Sequence, residues 1–180
     1  IYGSGNTITN NNLSNSGTGL LLSSTGQSTI GTGLSANNFY GTNISLAITG
    51  RDFVISDLDL SGATLGKSGV GTAISAAGPL TNVTIKNINA SGRSTGIMFW
   101  NGALVNGQIL NNNVSGGVTG IQAVLTNSLV DGNNASNSGG AALALYASGS
   151  TITNNNLSNS GTGLSLGATS QNTIGTGVSA

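Results

Sequence analysis

The stretch TITNNNLSNSGTGL occupies residues 7–20 and returns, letter for letter, at residues 151–164, which lie 144 positions further along the chain. The same shift aligns residues 1–36 with residues 145–180 without a gap, and nine of the 36 aligned pairs differ. A sequence that repeats itself at this length is typical of an architecture in which similar units stack on one another. The repeat therefore decides the fold class.

A shorter and looser repeat lies inside the long one. ITNNNLSNSGTGL (8–20) has close relatives in IKNINASGRSTGI (85–97) and ILNNNVSGGVTGI (109–121), and each places apolar residues at three fixed positions. The first apolar column is Ile8, Leu34, Ile55, Ile85, Ile109, Val130, Ile152 and Val178; the second is Leu13, Phe39, Leu60, Ala90, Val114, Ala135 and Leu157; the third is Leu20, Ile44, Ile74, Ile97, Ile121, Ala142 and Leu164. Six intervals span the 144 residues, so one coil takes about 24 residues.

Each unit predicts three short β-strands separated by turns rich in Gly, Asn and Ser. The alternation of ISLAI at 44–48 is typical of such a strand, and no segment gathers enough strong helix formers for a helix. Leucine-rich repeats have a similar period, but their L-x-x-L-x-L consensus is absent. Stacking the three strands of one coil on those of the next predicts an all-β, parallel β-solenoid with three aliphatic ladders inside.

The long repeat also predicts the domain organisation. Residues 1–180 form a single β-solenoid, in which residues 1–144 are one super-repeat of about six coils and residues 145–180 begin the next copy. The chain starts at Ile1, without an initiating Met or a signal peptide, which indicates a mature segment or a fragment.

Asn or Asp stands immediately before the second apolar column in every coil. This ladder consists of Asn12, Asn38, Asp59, Asn89, Asn113, Asn134 and Asn156. We expect it to occupy a tight turn, because Asn tolerates a left-handed backbone, and we expect the stacked amides to hydrogen-bond along the solenoid axis. A Ser two positions later creates several N-x-S glycosylation sequons, but ladder geometry is the favoured interpretation because the sequons follow from the two columns.

The pattern I-x-N-N-x-[LVF]-S-x-x-x-x-G-[IL], which covers the whole chain, resembles the right-handed parallel β-helix repeat of pectate lyases, polygalacturonases, alginate epimerases and many bacterial surface proteins. The resemblance is specific for the fold and unspecific for function. For a member of this fold that is an enzyme, the resemblance implies acid–base chemistry on an acidic sugar polymer. Clustered Asp, Arg, Lys or His on an outer strand face would carry it out, often with calcium.

The composition excludes several classes of function. The chain has four basic and four acidic residues and no net charge, whereas binding to nucleic acid or to an anionic membrane needs clustered Lys and Arg. It has no Cys for a disulfide framework or a thiolate metal site, and no apolar run approaches the length of a membrane span.

The strand face that carries catalysis in related enzymes has no ionisable residue here. Its outward positions should be Leu21, Ser45, Ser75, Met98, Gln122 and Ser165. General acid–base catalysis needs a proton donor or acceptor of tunable pKa, and glycoside hydrolysis needs two carboxylates. We therefore expect no enzyme activity, no cofactor and no metal site; Asp57 and Asp59 together would bind a cation only weakly. Lys67 and Arg93 are more simply an exposed pair than a basic binding spot.

One cluster could bind a ligand. In IMFW (97–100), inward Ile97 and Phe99 would send Met98 and Trp100 outward, beside Gln122 of the next coil. An exposed Trp can stack on a sugar ring, so Met98, Trp100 and Gln122 form a candidate carbohydrate site. The favoured alternative is that Trp100 packs under the next loop or under the 62–73 insertion.

Three functions fit these observations. The first is a structural or adhesive segment of a larger repetitive extracellular or cell-surface protein, which self-associates end to end or laterally into a filament or sheath. The second is a carbohydrate-binding or polysaccharide-processing β-helix, for which a surface polysaccharide would be the partner. The third is an ice-binding solenoid, which is disfavoured because regular ranks of Thr do not continue through the coils.

Overall fold

The computed structural model describes residues 1–24, 26, 28, 37–61, 71–168 and 170–175. Fifteen β-strands form three sheets in this part of the chain, every strand pair is parallel, and the described residues contain no helix. The chain passes from sheet to sheet and returns to the first after about 24 residues. The predicted parallel β-solenoid is confirmed.

The largest sheet has seven strands, one from each coil, and we number the coils 1 to 7 by these strands. The strands are β2 (Thr18–Ser24), β4 (Ile44–Arg51), β6 (Thr72–Thr81), β8 (Thr95–Val105), β10 (Thr119–Thr126), β12 (Ala141–Ser148) and β14 (Thr162–Ala168). Strand β12 runs through residue 144, and the division of the chain there into super-repeats stays a prediction.

The other two sheets are built from shorter pieces. The six-stranded sheet consists of β5 (Val54–Ser56), β7 (Thr84–Lys86), β9 (Gln108–Leu110), β11 (Leu129–Asp131), β13 (Thr151–Thr153) and β15 (Thr173–Ile174). The third side contains β1 (Asn11–Asn12) and β3 (Asn37–Asn38), and it continues as isolated parallel bridges from Asp59 to Asn156. Three flat sides thus enclose one apolar core.

The first two apolar columns are confirmed wherever the structure describes them. Ile55, Ile85, Ile109, Val130 and Ile152 lie in register along the six-stranded sheet and are fully buried. The residue that pairs with Ile152 in the next strand of this sheet is Ile174. Leu34 and Val178 themselves lie outside the described residues.

The third column is correct except in two coils. Leu46 pairs with Leu20 and Ile74, so Leu46 belongs to the column, and the predicted Ile44 lies two residues too early. In coil 6, Leu143 rather than Ala142 pairs with Ile121 and Leu164. In ISLAI, residues 44, 46 and 48 are all apolar and share one face, so alternation alone fits the column at Ile44 or at Leu46; coil 6 has one extra residue in the preceding turn. Only the backbone pairing with the neighbouring strands fixes which residue joins the column.

Each Asn of an NNN triplet has a different role, and the left-handed turn belongs to the first Asn rather than to the third, where it was expected. The first position takes the left-handed conformation, as in Asn111 (φ 53°) and Asn154 (φ 52°). The third position, which includes Asn113 and Asn156, was expected there but instead forms bridges between coils. The left-handed turn therefore lies two residues before the predicted ladder.

The predicted ladder does hydrogen-bond along the axis. The Asn38 Nδ2 donates to Asn12 Oδ1 (3.1 Å), and the Asn156 Nδ2 donates to Asn134 Oδ1 (3.2 Å). The ladder Oδ1 atoms also accept from the residue two positions later, which is Ser in every coil except at Tyr40; the Ser158 Oγ, for example, lies 2.8 Å from Asn156 Oδ1. The N-x-S sequons are thus local turns that tie the ladder to the following residue.

A second ladder at the middle position of the triplet was missed. Asn112, Asn133 and Asn155 are buried, and each Nδ2 of the first two donates to the next Oδ1 at 2.9 Å. The Asn133 Nδ2 also donates to the carbonyl oxygen of Ile109 at 2.9 Å. In coils 3 and 4 the same position holds buried Leu58 and Ile88. The sequence signal for this second ladder is that the position is Leu or Ile in coils 3 and 4 and Asn in coils 5 to 7.

The two ladders should contribute unequally to stability. Replacement of Asn133 by Ala should lower the free energy of unfolding by about 2–4 kcal/mol, because the buried amide and Nδ2 donors of Asn112 lose their shared acceptor and Asn155 Oδ1 loses one of its two donors. Replacement of the adjacent, half-buried Asn134 by Ala should cost about 1 kcal/mol. Equilibrium urea unfolding would measure both, and equal losses would contradict the distinction.

Candidate functional site on the seven-stranded sheet

Two rows of side chains point outward from the seven-stranded sheet. The first row, in register, is Leu21, Ala47, Ser75, Met98, Gln122, Ala144 and Ser165. Four of the six predicted outward positions, Leu21, Met98, Gln122 and Ser165, are accessible in this row, whereas Ser75 shares the register but is only 5% exposed. The expectation that Ser45 points outward is wrong, because Ser45 is fully buried. Coil 2 is shifted by two residues relative to the expected column, so Ala47 occupies this position of the row.

The second row contains Ser23, Thr49, Val124, Tyr146 and Gly167, and the bulges of coils 3 and 4 interrupt it. Phe99 pairs with Ala123 and Leu104 pairs with Leu125, so the four residues 100–103 stand opposite the single residue Val124. Coil 3 has its own extra residues between Ser75 and Leu80. The two bulges approach closely at their glycines, since a Cβ on Gly102 would overlap the carbonyl oxygen of Gly78.

The bulge of coil 4 presents Trp100 to solvent. Its exposed fraction is 50%, so the expectation that Trp100 packs under a neighbouring loop is wrong; residues 62–70 of the insertion lie outside the described residues. Ile97 and Phe99 are fully buried, and half-buried Met98 points outward in register with Gln122. The structure thus brings Met98, Trp100 and Gln122 onto one face, as predicted.

A second aromatic residue, Tyr146, lies on this face and was not predicted from the sequence. Tyr146 pairs with Val124 of coil 5 and with Gly167 of coil 7, and its exposed fraction is 49%. Its ring lies against Gly167, where a Cβ would overlap the ring carbons. The alternation in LALYAS (143–148) was the signal that could have found it. We call Met98, Trp100, Gln122, Val124 and Tyr146 the aromatic face.

The charged side chains lie elsewhere and serve the turns. Asp52 forms an exposed ion pair with Arg51 (3.7 Å) and accepts a hydrogen bond from Asn82 Nδ2 (2.8 Å). Hydrogen bonds from Ser56 and Asn87, together with the nearby charge of Lys86, lower the pKa of Asp57. Asp131 Oδ1 accepts from Asn154 Nδ2 at 2.8 Å.

Arg93 is a buried structural residue and no part of a basic surface. It is 4% exposed, and its guanidinium donates to the carbonyl oxygens of Leu60 (2.7 Å) and Thr42 (3.1 Å) and to Ser45 Oγ (2.7 Å). Burial lowers the pKa of Arg93. The expectation of an exposed Arg93 beside Lys67 is wrong for Arg93, which joins coils 2, 3 and 4; Lys67 lies outside the described residues.

A comparison with family profiles matches residues 46–176 to a family described as "NosD: Periplasmic copper-binding protein (NosD)". The match covers more than two thirds of the chain. The chain belongs to the NosD family. NosD proteins are right-handed parallel β-helices of the pectate-lyase-like fold, so the predicted fold resemblance is confirmed.

The NosD match includes the whole aromatic face and both bulges. Neither a curated protein nor a solved structure matches the sequence. In the part of the chain that the structure describes, no helix is long and apolar enough to cross a membrane.

Proposed function

We propose that this NosD-family chain is a structural or adhesive segment of a repetitive protein located outside the cytoplasm. One observation carries the proposal: the polar side chains that recur in the coils are used in contacts between coils. Inner and outer Asn ladders, buried Ser128 and Ser150, and Arg93 all bond to a neighbouring coil. Such a chain is organised to extend a rigid rod.

The outer face supports a role without catalysis. Both outward rows of the seven-stranded sheet lack ionisable side chains apart from the phenol of Tyr146. The described carboxylates of Asp52, Asp57 and Asp131 hydrogen-bond to the Asn of an adjacent coil, and that of Asp59 accepts from the Ser61 amide. Within the described residues, no three of these carboxylates gather into a group that could hold a metal ion.

The family description supports the location. It names a periplasmic protein, which is compatible with the extracellular or cell-surface expectation. The low charge supports self-association as part of the role, because burying hydroxyl and amide groups in a contact costs less hydration free energy than burying charged groups.

The location and the shape can be tested in the source cells. We expect an antibody against the chain to label material outside the cytoplasmic membrane, and negative-stain electron microscopy of that fraction to show rods or fibres. Recovery of the chain only from the cytoplasmic fraction would contradict the proposal. A preloaded cytoplasmic marker protein is the control for cell lysis.

Copper binding, which the family description names, does not fit the side chains of this chain. Copper prefers imidazole, thiolate and thioether ligands. The sequence has no His and no Cys, and its single Met is Met98. The register neighbours of Met98 are Ser75 and Gln122, which offer only a hydroxyl and an amide, and no group of three potential ligands occurs among the described residues.

Copper should therefore leave the stability of the chain unchanged. A specific site filled at 100 times its Kd would raise the free energy of unfolding by about 2.7 kcal/mol. We expect no rise in Tm when Cu²⁺ or Cu⁺ is added to the purified protein, and no saturable heat in calorimetry. A stoichiometric site that the substitution Met98→Leu abolishes would contradict this expectation.

A second candidate function is binding of a neutral glycan to the aromatic face. Trp100 and Tyr146 are each about half exposed, two coil steps or roughly 10 Å apart, with half-buried Val124 between them. Exposed rings offer stacking surfaces for sugar rings, and Gln122 adds a hydrogen-bonding amide. The absence of Lys and Arg from these rows favours a neutral glycan over an acidic one.

The single Trp makes this second function measurable by fluorescence. We expect a neutral β-glucan oligosaccharide to shift the emission of Trp100, and Tyr146→Ala to weaken the affinity by about tenfold or more. Tyr2→Ala is the matched control, because Tyr2 is 81% exposed and pairs with Ser23 at the opposite end of the same sheet. An equal response to oligogalacturonate, or equal loss in both variants, would contradict a neutral-glycan site.

The ice-binding alternative gains no support from the flat six-stranded sheet. Its outward rank is Val54, Thr84, Gln108, Leu129, Thr151 and Thr173. The Thr residues are interrupted by apolar and amide side chains, so no regular hydroxyl array spans the face.

A further inference from the structure

The six-stranded sheet turns two columns of side chains outward, one on each side of its buried Ile and Val column. The Gln108 column contains Val54, Thr84, Gln108, Leu129 and Thr151, and the Leu110 column contains Ser56, Lys86, Leu110, Asp131 and Thr153. Gln108 is exposed, and the other nine residues are half-buried. These two columns form a flat side of the rod, which we call the six-strand face.

The Leu110 column carries one positive and one negative charge at equal distances from an apolar residue. Lys86 pairs in register with Leu110, and Leu110 pairs in register with Asp131. Each charge therefore lies one coil, or about 4.8 Å, from the level of Leu110, and the two charges lie on opposite sides of it. When the column is turned end to end about Leu110, its positive position falls on its negative position.

Neither of these two charges is neutralised within its own chain. Asp131 Oδ1 accepts a hydrogen bond from the neutral Asn154 Nδ2 at 2.8 Å, and no cation of the described residues forms an ion pair with this carboxylate. Lys86 lies near Asp57 and contributes to the lowered pKa of that carboxyl group, but these two described residues form no ion pair either. Both charges can therefore pair with charges of a second molecule.

We propose that the six-strand face binds a second copy of the chain, with the two rods antiparallel and a two-fold axis along strand β9. This axis places Lys86 of each copy opposite Asp131 of the other, and Leu110 opposite Leu110. It also places Gln108 opposite Gln108, where two primary amides can donate to each other. The contact is isologous, so the Lys–Asp pair occurs twice. The inference deepens the proposed self-association and rests on the proposed structural role for its biological meaning.

The neighbouring turns also avoid contacts between like charges in this arrangement. The left-handed residues that follow the Leu110 column are Asp57, Asn87, Asn111, Gly132 and Asn154. Because the axis passes at the level of Asn111, Asp57 lies opposite the neutral Asn154 of the other copy. Two parallel rods would instead bring both Lys86 side chains to one level and both Asp131 side chains to another. Charge therefore selects the antiparallel arrangement.

The size of the six-strand face predicts a reversible contact. Five strands with their flanking turns cover roughly 500 Å² on each copy. A standard stable interface buries about 800 Å² on each partner. The dimer should therefore form at protein concentrations of about 0.1–1 mM. Its orientation should depend on the charge pairs, because like charges placed opposite each other in a contact are strongly unfavourable.

Charge reversal tests the pairing, because the two single variants complement only each other. Lys86→Asp places a carboxylate opposite Asp131 of the other copy, and Asp131→Lys places an ammonium opposite Lys86. Each variant alone should self-associate about tenfold or more weakly in sedimentation equilibrium. An equimolar mixture should form a heterodimer at least as readily as the unmodified chain dimerises, since every charge then faces its opposite. A mixture that stays monomeric, or a single variant that associates normally, would overturn the proposal.

Two substitutions at the exposed ion pair before this sheet are the matched controls. Arg51→Asp and Asp52→Lys change the net charge by the same amounts as the two test variants. In the proposed dimer Asp52 lies opposite Gly149 of the other copy, so its reversal opposes no charge. Both controls should dimerise like the unmodified chain, and circular dichroism checks that all variants are folded. Equal losses in controls and test variants, or an unmodified chain that is monomeric at about 1 mM, would refute the proposal.

Cross-linking tests the antiparallel orientation, because the chain has no Cys of its own. Leu110 and Thr153 are both half-buried positions of the Leu110 column. Across the two-fold axis, residue 110 lies about 10 Å from its counterpart, whereas residue 153 is displaced from its counterpart by four coils, or about 19 Å, along the rod. A short bismaleimide should therefore join Leu110→Cys dimers in much higher yield than Thr153→Cys dimers. Equal yields would refute the two-fold axis, and because these assays use purified protein, their failure is separate from that of the cellular location.

Discussion

Parallel backbone pairing between successive coils is the constraint on which the whole structure depends. It places each residue directly beside its counterpart one coil away, at about 4.8 Å. An inward position that is apolar in one coil must be apolar or fully hydrogen-bonded in the next, because the side chain there packs against the equivalent residue of the neighbouring coil. Low charge follows from the same constraint, since like charges stacked at this distance repel one another.

Asn satisfies this constraint in three ways within three consecutive residues. As Asn154 it takes the left-handed turn, as Asn155 it replaces an aliphatic core residue with an internal amide chain, and as Asn156 it links the coils on the outside. The buried chain of amides starts at the amide of Ile88, which donates to Asn112 Oδ1 at 2.9 Å. This junction lets an aliphatic column become a polar one without leaving an unsatisfied group.

The sequence predicted the columns well because apolar periodicity depends directly on pairing. It failed where two apolar residues share one face of a strand, as Ile44 and Leu46 do, since only the register of the neighbouring strands distinguishes them. The left-handed Asn could not be located within NNN because all three letters are the same. Arg93 was misplaced because its acceptors lie 33 to 51 residues away in sequence. The outward Met98, Trp100 and Gln122 were found by simple alternation. The same alternation turns Tyr146 outward, but only the strand order and register show that it lies near them.

The paired bulges of coils 3 and 4 also have a consequence for distance along the rod. A solenoid of equal coils looks the same at every step, so nothing docking on its side could distinguish one level from another. The glycines at 78 and 102 allow two adjacent coils to protrude together and mark a single level. In a protein that continues the 144-residue period, this mark would recur every six coils, or about 29 Å. The bulges would then mark equal intervals along the rod.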